Sequence, residues 1–192
     1  MNKKIILPFL ALAIIPVLVF GFSQPSADEL GKQFAKDHQG MTIGVHTLEE
    51  DITEQEEINR SSLVVEGEIL NTKAYWINVN DQKYPRIFTD YTVQVDEVIK
   101  GDYKKIIKVT IGGGELDGVK TSMVAPELAK GDKVIMILGK DISSPFGDNY
   151  VPISISKSTY VIDEDGIAEN KKSDRSDNKD KVKERLAKLA ES

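Results

Sequence analysis

The sequence of 192 residues contains no cysteine. It therefore offers no disulfide, no thiolate for metal binding or nucleophilic attack, and no cysteine to carry a lipid anchor. Whatever domain it forms must be held together by its hydrophobic core alone.

Histidine is also scarce, since only His38 and His46 occur, eight residues apart. No histidine cluster can bind zinc, and no serine-histidine-aspartate arrangement is indicated. The Gly-rich run 113–120 resembles a phosphate-binding loop, but its lysine, Lys120, comes one position late and no Ser or Thr adjoins the glycine. A tight turn with positive φ is the simpler interpretation. The sequence predicts no enzyme, no cofactor and no metal site; a weak divalent-cation site at 49–51 or 163–165 stays an open alternative.

An excess of positive charge is likewise missing. The net charge is -6 and the sequence pI is about 5.1. Nucleic acids and anionic membrane surfaces bind basic patches on proteins, so an acidic protein of this kind is a poor partner for them. We therefore expect no nucleic-acid partner.

The first 23 residues have the pattern of an export segment. Lys3 and Lys4 precede residues 5–22, which carry no charged side chain. A basic start followed by an apolar run is typical of a signal peptide, and this run also reaches the length that spans a bilayer. Gly21 and Ser23 occupy the small-residue positions of a cleavage site before Gln24. The chain is predicted to be exported, either secreted or held at the cell surface by an uncleaved membrane anchor at residues 5–22.

Three further regions follow. Residues 24–61 form an acidic spacer in which Ser26 and the Thr53/Glu56 pair cap two short helices. This spacer is expected to dock loosely on the main domain at 62–168. The charged tail, 169–192, begins a helix near Asp177 or Asn178, and its thin apolar stripe favours a frayed, weakly docked helix.

Hydrophobic alternation and turn residues predict the strands of the main domain. They cover residues 63–77, 87–99, 105–111, 119–124, 133–138 and 150–162, with a bend or bulge at Gly67. The predicted fold is mostly β, a small antiparallel OB-like barrel of five or six strands, accompanied by an N-terminal apolar helix and short flanking helices.

The order of these segments resembles a known family. The resemblance is carried by Leu63 to Ile69, Tyr91 to Gly101, Lys108 to Gly114, Leu128 to Leu138 and Tyr160 to Gly166. Together they are similar to the netrin-like OB barrel of the tissue inhibitors of metalloproteinases, as found in uncharacterised exported prokaryotic proteins. Family members inhibit through an N-terminal cysteine, so this chain cannot use that chemistry and no inhibitory residue carries over.

Aromatic and basic residues gather around the first hairpin and form the best candidate binding patch. They are Tyr75, Trp76, Tyr84, Arg86 and Phe88. Simple packing of the barrel end is the competing interpretation. We expect an extracytoplasmic binding or interaction module that contacts a protein or glycan of the envelope and is not an enzyme. The alternative is a cysteine-independent regulator or inhibitor of extracellular hydrolases.

Overall fold

The computed structural model describes residues 25–44, 50–78, 84–122, 125–140, 146–170, 173 and 175–192. The predicted export segment lies outside the described residues. The helices are α1 (Ala27–Asp37), α2 (Glu54–Arg60) and α3 (Lys179–Glu191). The strands are β1 (Thr42–Gly44), β2 (Leu63–Ile77), β3 (Arg86–Lys100), β4 (Ile106–Gly112), β5 (Gly114–Leu116), β6 (Val119–Ser122), β7 (Lys133–Lys140), β8 (Tyr150–Pro152), β9 (Thr159–Ile162), β10 (Ile167–Asn170) and β11 (Arg175–Asn178).

The mostly β prediction is confirmed. Its largest feature is the hairpin of β2 and β3, two strands of 15 residues each that pair antiparallel. The pairing shifts register between Glu66 and Gly67. A Cβ at Gly67 would lie 2.2 Å from the Gln94 carbonyl oxygen, so this bulge depends on a residue without a side chain.

Strand pairing builds one large sheet in the order β11-β10-β9-β7-β2-β3-β4-β8, and β8 also pairs with β7. The strands β7, β2, β3, β4 and β8 thus close a ring, and β9, β10 and β11 extend from β7 beside it. The prediction of five or six strands is wrong, because this sheet has eight. Residues 153–158 divide the predicted last strand into β8 and β9, and the segment after Gly166 adds β10 and β11.

The ring encloses the main core, to which alternate residues of each strand contribute. Its members include Val65, Val93, Val109, Met136 and Leu138, all essentially inaccessible to solvent. The run from Val134 to Leu138 is fully buried on both faces of β7. A strand of this kind needs cover outside the ring as well as inside it.

Helices α2 and α3 supply that outer cover. Ile58 of α2 and Val182 and Leu186 of α3 pack with Ile135 and Ile137 of β7, and Ile58 and Leu186 have no exposed surface. The expected loose docking of the spacer and the frayed tail helix are therefore both wrong. The predicted caps are confirmed: Ser26 and Thr53 form capping boxes, and Asn178 caps α3.

Helix α1 covers the far end of the long hairpin. Ala35 packs there with Trp76, Ile87 and Val119, beside a small second sheet in the order β1-β6-β5. None of the three described helices has both the length and the apolar composition needed to cross a membrane.

Candidate binding cleft

The five residues predicted as a binding patch do not form one surface. Trp76 is 5% exposed, and its indole nitrogen donates to Asp117 Oδ2 at 2.9 Å. The ring lies against α1 so closely that a Cβ on Gly31 would be 2.0 Å from Trp76 Cγ. Tyr84 is half exposed, and its ring centroid lies 5.5 Å from that of Phe34 on α1. Trp76 thus packs the hairpin end against α1.

Tyr75, Arg86 and Phe88 lie on the opposite face of the hairpin, as the pairs Tyr75–Phe88 and Ile77–Arg86 show. The Tyr75 hydroxyl donates to Asp90 Oδ1 at 2.9 Å. Burial and this hydrogen bond raise the pKa of Tyr75 to about 12. Phe88 packs against Phe146, with ring centroids 4.8 Å apart. This face is largely committed to contacts within the protein.

A cleft of about 590 Å³ opens where the ring meets the small sheet and strands β9 and β10. That volume falls within the range of small-molecule binding sites. Its floor includes apolar side chains of the ring core, and its walls carry hydroxyl groups. The hydroxyl-bearing residues are Thr72, Thr89, Thr121, Ser122, Ser156 and Thr159.

Thr159 stands apart from the other hydroxyl residues because its Oγ1 is buried and has no hydrogen-bond partner among the described residues. The residue is 2% exposed. It pairs with Met136 of the ring core, while its neighbour Tyr160 points into the outer core. The side chain of Thr159 therefore lies on the cleft face of β9. Burying a hydroxyl without a partner costs about 1–3 kcal/mol, so this group is unusual unless a ligand satisfies it.

The Gly-rich segment forms part of the cleft wall. Gly113 and Gly114 have φ of 98° and 129°. The predicted tight turn with positive φ lies just beyond them, at Asp117 and Gly118 between β5 and β6, with φ of 52° and 79°. The Thr89 hydroxyl donates to the Gly113 carbonyl at 2.7 Å, and a Cβ on Gly114 would lie 2.3 Å from that hydroxyl oxygen. Glycine is needed at position 114 because the backbone there passes too close to the Thr89 side chain for any other residue to fit.

The charges that line the cleft are Glu115, Lys120, Glu127 and Glu169. Lys120 forms an ion pair with Glu127 at 2.6 Å, and this contact raises the pKa of Lys120. Glu115 lies opposite Lys120 across the β5–β6 pair and also contributes to raising its pKa, whereas Glu169 forms no ion pair within the described residues. The cleft therefore carries an excess of negative charge.

Across the described part of the chain, no group of three or more His, Asp or Glu side chains is arranged to hold a metal ion. The acidic turn at 163–165 is organised by its own backbone instead. Asp163 Oδ1 accepts from the amides of Asp165 and Ile167 at 3.0 and 2.8 Å. The other predicted cation position includes Glu49, which lies outside the described residues.

The sequence interpretation missed the cleft. Threonine is common in strands, so Thr72, Thr89, Thr121 and Thr159 give no signal of their own. Strand pairing across long sequence separations brings them to one cavity. The charge pattern could have drawn attention to Glu115 and Glu169, but not to their common location.

Comparison with protein-family models and with curated proteins found no match to this chain.

Proposed function

We propose that this protein is an exported, non-catalytic binding module of the cell envelope, and that it binds a glycan in the cleft at the end of the ring. The single observation that carries the binding proposal is the buried, unpartnered hydroxyl of Thr159 on the cleft face. Export rests on Lys3 and Lys4 ahead of the apolar residues 5–22, which act as a cleaved signal peptide or as a membrane anchor.

Cleft chemistry favours a saccharide ligand. Hydroxyl side chains can donate and accept, which suits the hydroxyl groups of a sugar. Tyr91, Ile111, Leu128 and Val161 add an apolar floor against which the C–H face of a sugar ring can pack. A purely apolar ligand would leave the buried Thr159 hydroxyl without a partner, at a cost in free energy.

An OB-like barrel of the netrin-like kind is part of the same proposal. It is supported by the closed pairing of β7, β2, β3, β4 and β8. The extra strands β9, β10 and β11 and the covering helix α3 would be additions to that barrel. Function does not follow from this fold, since one barrel can host many kinds of ligand.

Sedimentation with purified, insoluble envelope polysaccharide tests the binding proposal. The full-length chain in mild detergent should sediment with the polymer, and Thr159→Val should weaken this binding. Phe88→Ala, on the other face of the hairpin, serves as the matched control and should bind normally. If the polymer does not bind and the protein instead inhibits a co-secreted protease, the proposal is wrong and the hydrolase-regulator alternative is favoured.

A further inference from the structure

The cleft contains more negative charge than its own residues neutralise. Lys120 faces two of the cleft carboxylates, Glu127 at 2.6 Å and Glu115, which lies opposite it across the β5–β6 pair, while Glu169 forms no ion pair within the described residues. Glu115 and Glu169 come from different elements, β5 and β10 respectively. One lysine thus serves two carboxylates and the third has no ion pair, and this excess of negative charge in one cavity favours a cationic ligand group.

Strand register places one of these carboxylates close to the unpartnered hydroxyl. Glu169 pairs with Val161, which packs against the ring core, so Glu169 lies on the cleft face of β10. Thr159 is two residues from Val161 along β9 and faces the same side. Diagonal neighbours of this kind have backbones roughly 7–8 Å apart. A single ligand unit can therefore contact both groups.

Resting on the function proposed above, we propose that the bound glycan carries free amino groups, as in a de-N-acetylated amino-sugar oligosaccharide. A protonated amine donates charge-assisted hydrogen bonds to Glu115 and Glu169. A neighbouring sugar hydroxyl pairs with Thr159 Oγ1. An N-acetylated sugar presents no charge to the carboxylates and adds bulk at the same position, so it should bind less well.

Two matched probes test this inference. Isothermal titration of the full-length chain would compare an oligomer of glucosamine with its fully N-acetylated counterpart of equal length. The double variant Glu115→Gln, Glu169→Gln removes the two charges while retaining side-chain size. The control double variant Glu164→Gln, Asp165→Asn removes two charges from an exposed turn that does not line the cleft.

We expect the amine-bearing oligomer to bind wild type more tightly than its acetylated counterpart, and the preference to weaken as salt is raised. The Glu115/Glu169 variant should lose about tenfold in affinity for the amine-bearing oligomer. The turn variant should keep the wild-type affinity. This set of results would support the inference.

Equal or tighter binding of the acetylated oligomer would overturn the inference and leave the proposed glycan-binding function intact. Binding of neither oligomer would also overturn it. Sedimentation with envelope polysaccharide would then decide separately whether the broader function survives. An unchanged affinity in a folded Glu115/Glu169 variant, checked by its thermal transition, would likewise contradict the assigned role of these carboxylates.

Discussion

Replacing Thr159 with valine should stabilise the free protein, although the site is almost completely buried. In most buried positions, the loss of a threonine hydroxyl breaks a hydrogen bond and lowers stability. At Thr159, the hydroxyl oxygen has no partner among the described residues. Valine keeps the branched shape that suits strand β9 and removes the unpaired polar group.

The expected gain follows from the cost of burying an unpaired hydroxyl. That cost is about 1–3 kcal/mol, and Thr159 is 2% exposed, so little of it is relieved by bulk solvent. For a chain of this size, each kcal/mol moves the midpoint of thermal unfolding by about 2–4 °C. Thr159→Val should therefore raise the midpoint while weakening glycan binding. Stability and binding would move in opposite directions, as they do at sites kept for function.

Thr89→Val is the matched control because it makes the same chemical change in the same cleft. Thr89 is also buried, but its hydroxyl donates to the Gly113 carbonyl at 2.7 Å. Its removal should cost about 1–2 kcal/mol. Urea unfolding of the two variants and wild type would measure both effects. A loss of stability in Thr159→Val comparable to that in Thr89→Val would refute the view that the Thr159 hydroxyl is unsatisfied.

Three further predictions concern the contacts that hold the helices. Gly31→Ala should destabilise the protein and shift the fluorescence of Trp76, because the new Cβ would lie 2.0 Å from the indole; an unchanged thermal midpoint would contradict this packing. Burial raises the pKa of Glu57, so its contribution to stability is complete below about pH 4.5 and is lost as pH rises through the raised pKa. Glu57→Gln should accordingly exceed wild type in stability at pH 8 but not at pH 4, in urea titrations. At Glu66, burial alone would raise the pKa, but hydrogen bonds from two lysines of α3 outweigh this effect and lower the pKa. The stabilisation that Glu66 contributes is therefore present above about pH 4.5 and is lost as pH falls through the lowered pKa. Glu66→Gln should cost about 1.5–3 kcal/mol at pH 7 and much less at pH 3; an equal cost at both would exclude the ion pairs as its cause.

Local patterns in the sequence predicted much of the fold. Alternation over residues 63–77 and 87–99 predicted the long hairpin, and the cap at Ser26 and the capping box at Thr53 predicted the starts of α1 and α2. These signals are short-range and follow from backbone hydrogen bonding at a single element. The Gly67 bulge was also predictable, since glycine inside a strand pattern marks a close approach of backbones.

The docking of the tail helix, the burial of Trp76 and the location of the cleft depend on tertiary packing, which the sequence pattern did not indicate. The thin apolar stripe of the tail helix predicted weak docking. In the structure Leu186 has no exposed surface, because the helix covers the apolar outer face of β7. The sequence left both a binding patch and packing of the barrel end open for Trp76, and its position against α1 shows that it is a core residue. The cleft could not be predicted because its residues are assembled by pairing between distant strands.

The most direct test of a binding site in this cleft is a map of chemical-shift changes in the methyl and amide signals of the protein, recorded while an oligosaccharide digest of the envelope polymer is added. We predict that the largest changes fall on the cleft threonines, with Thr159 among them, and on Gly113 and Gly114. Changes confined to Tyr75, Arg86 and Phe88 on the outer face of the hairpin, or no changes at any concentration of the digest, would contradict the assignment of the cleft as the binding site.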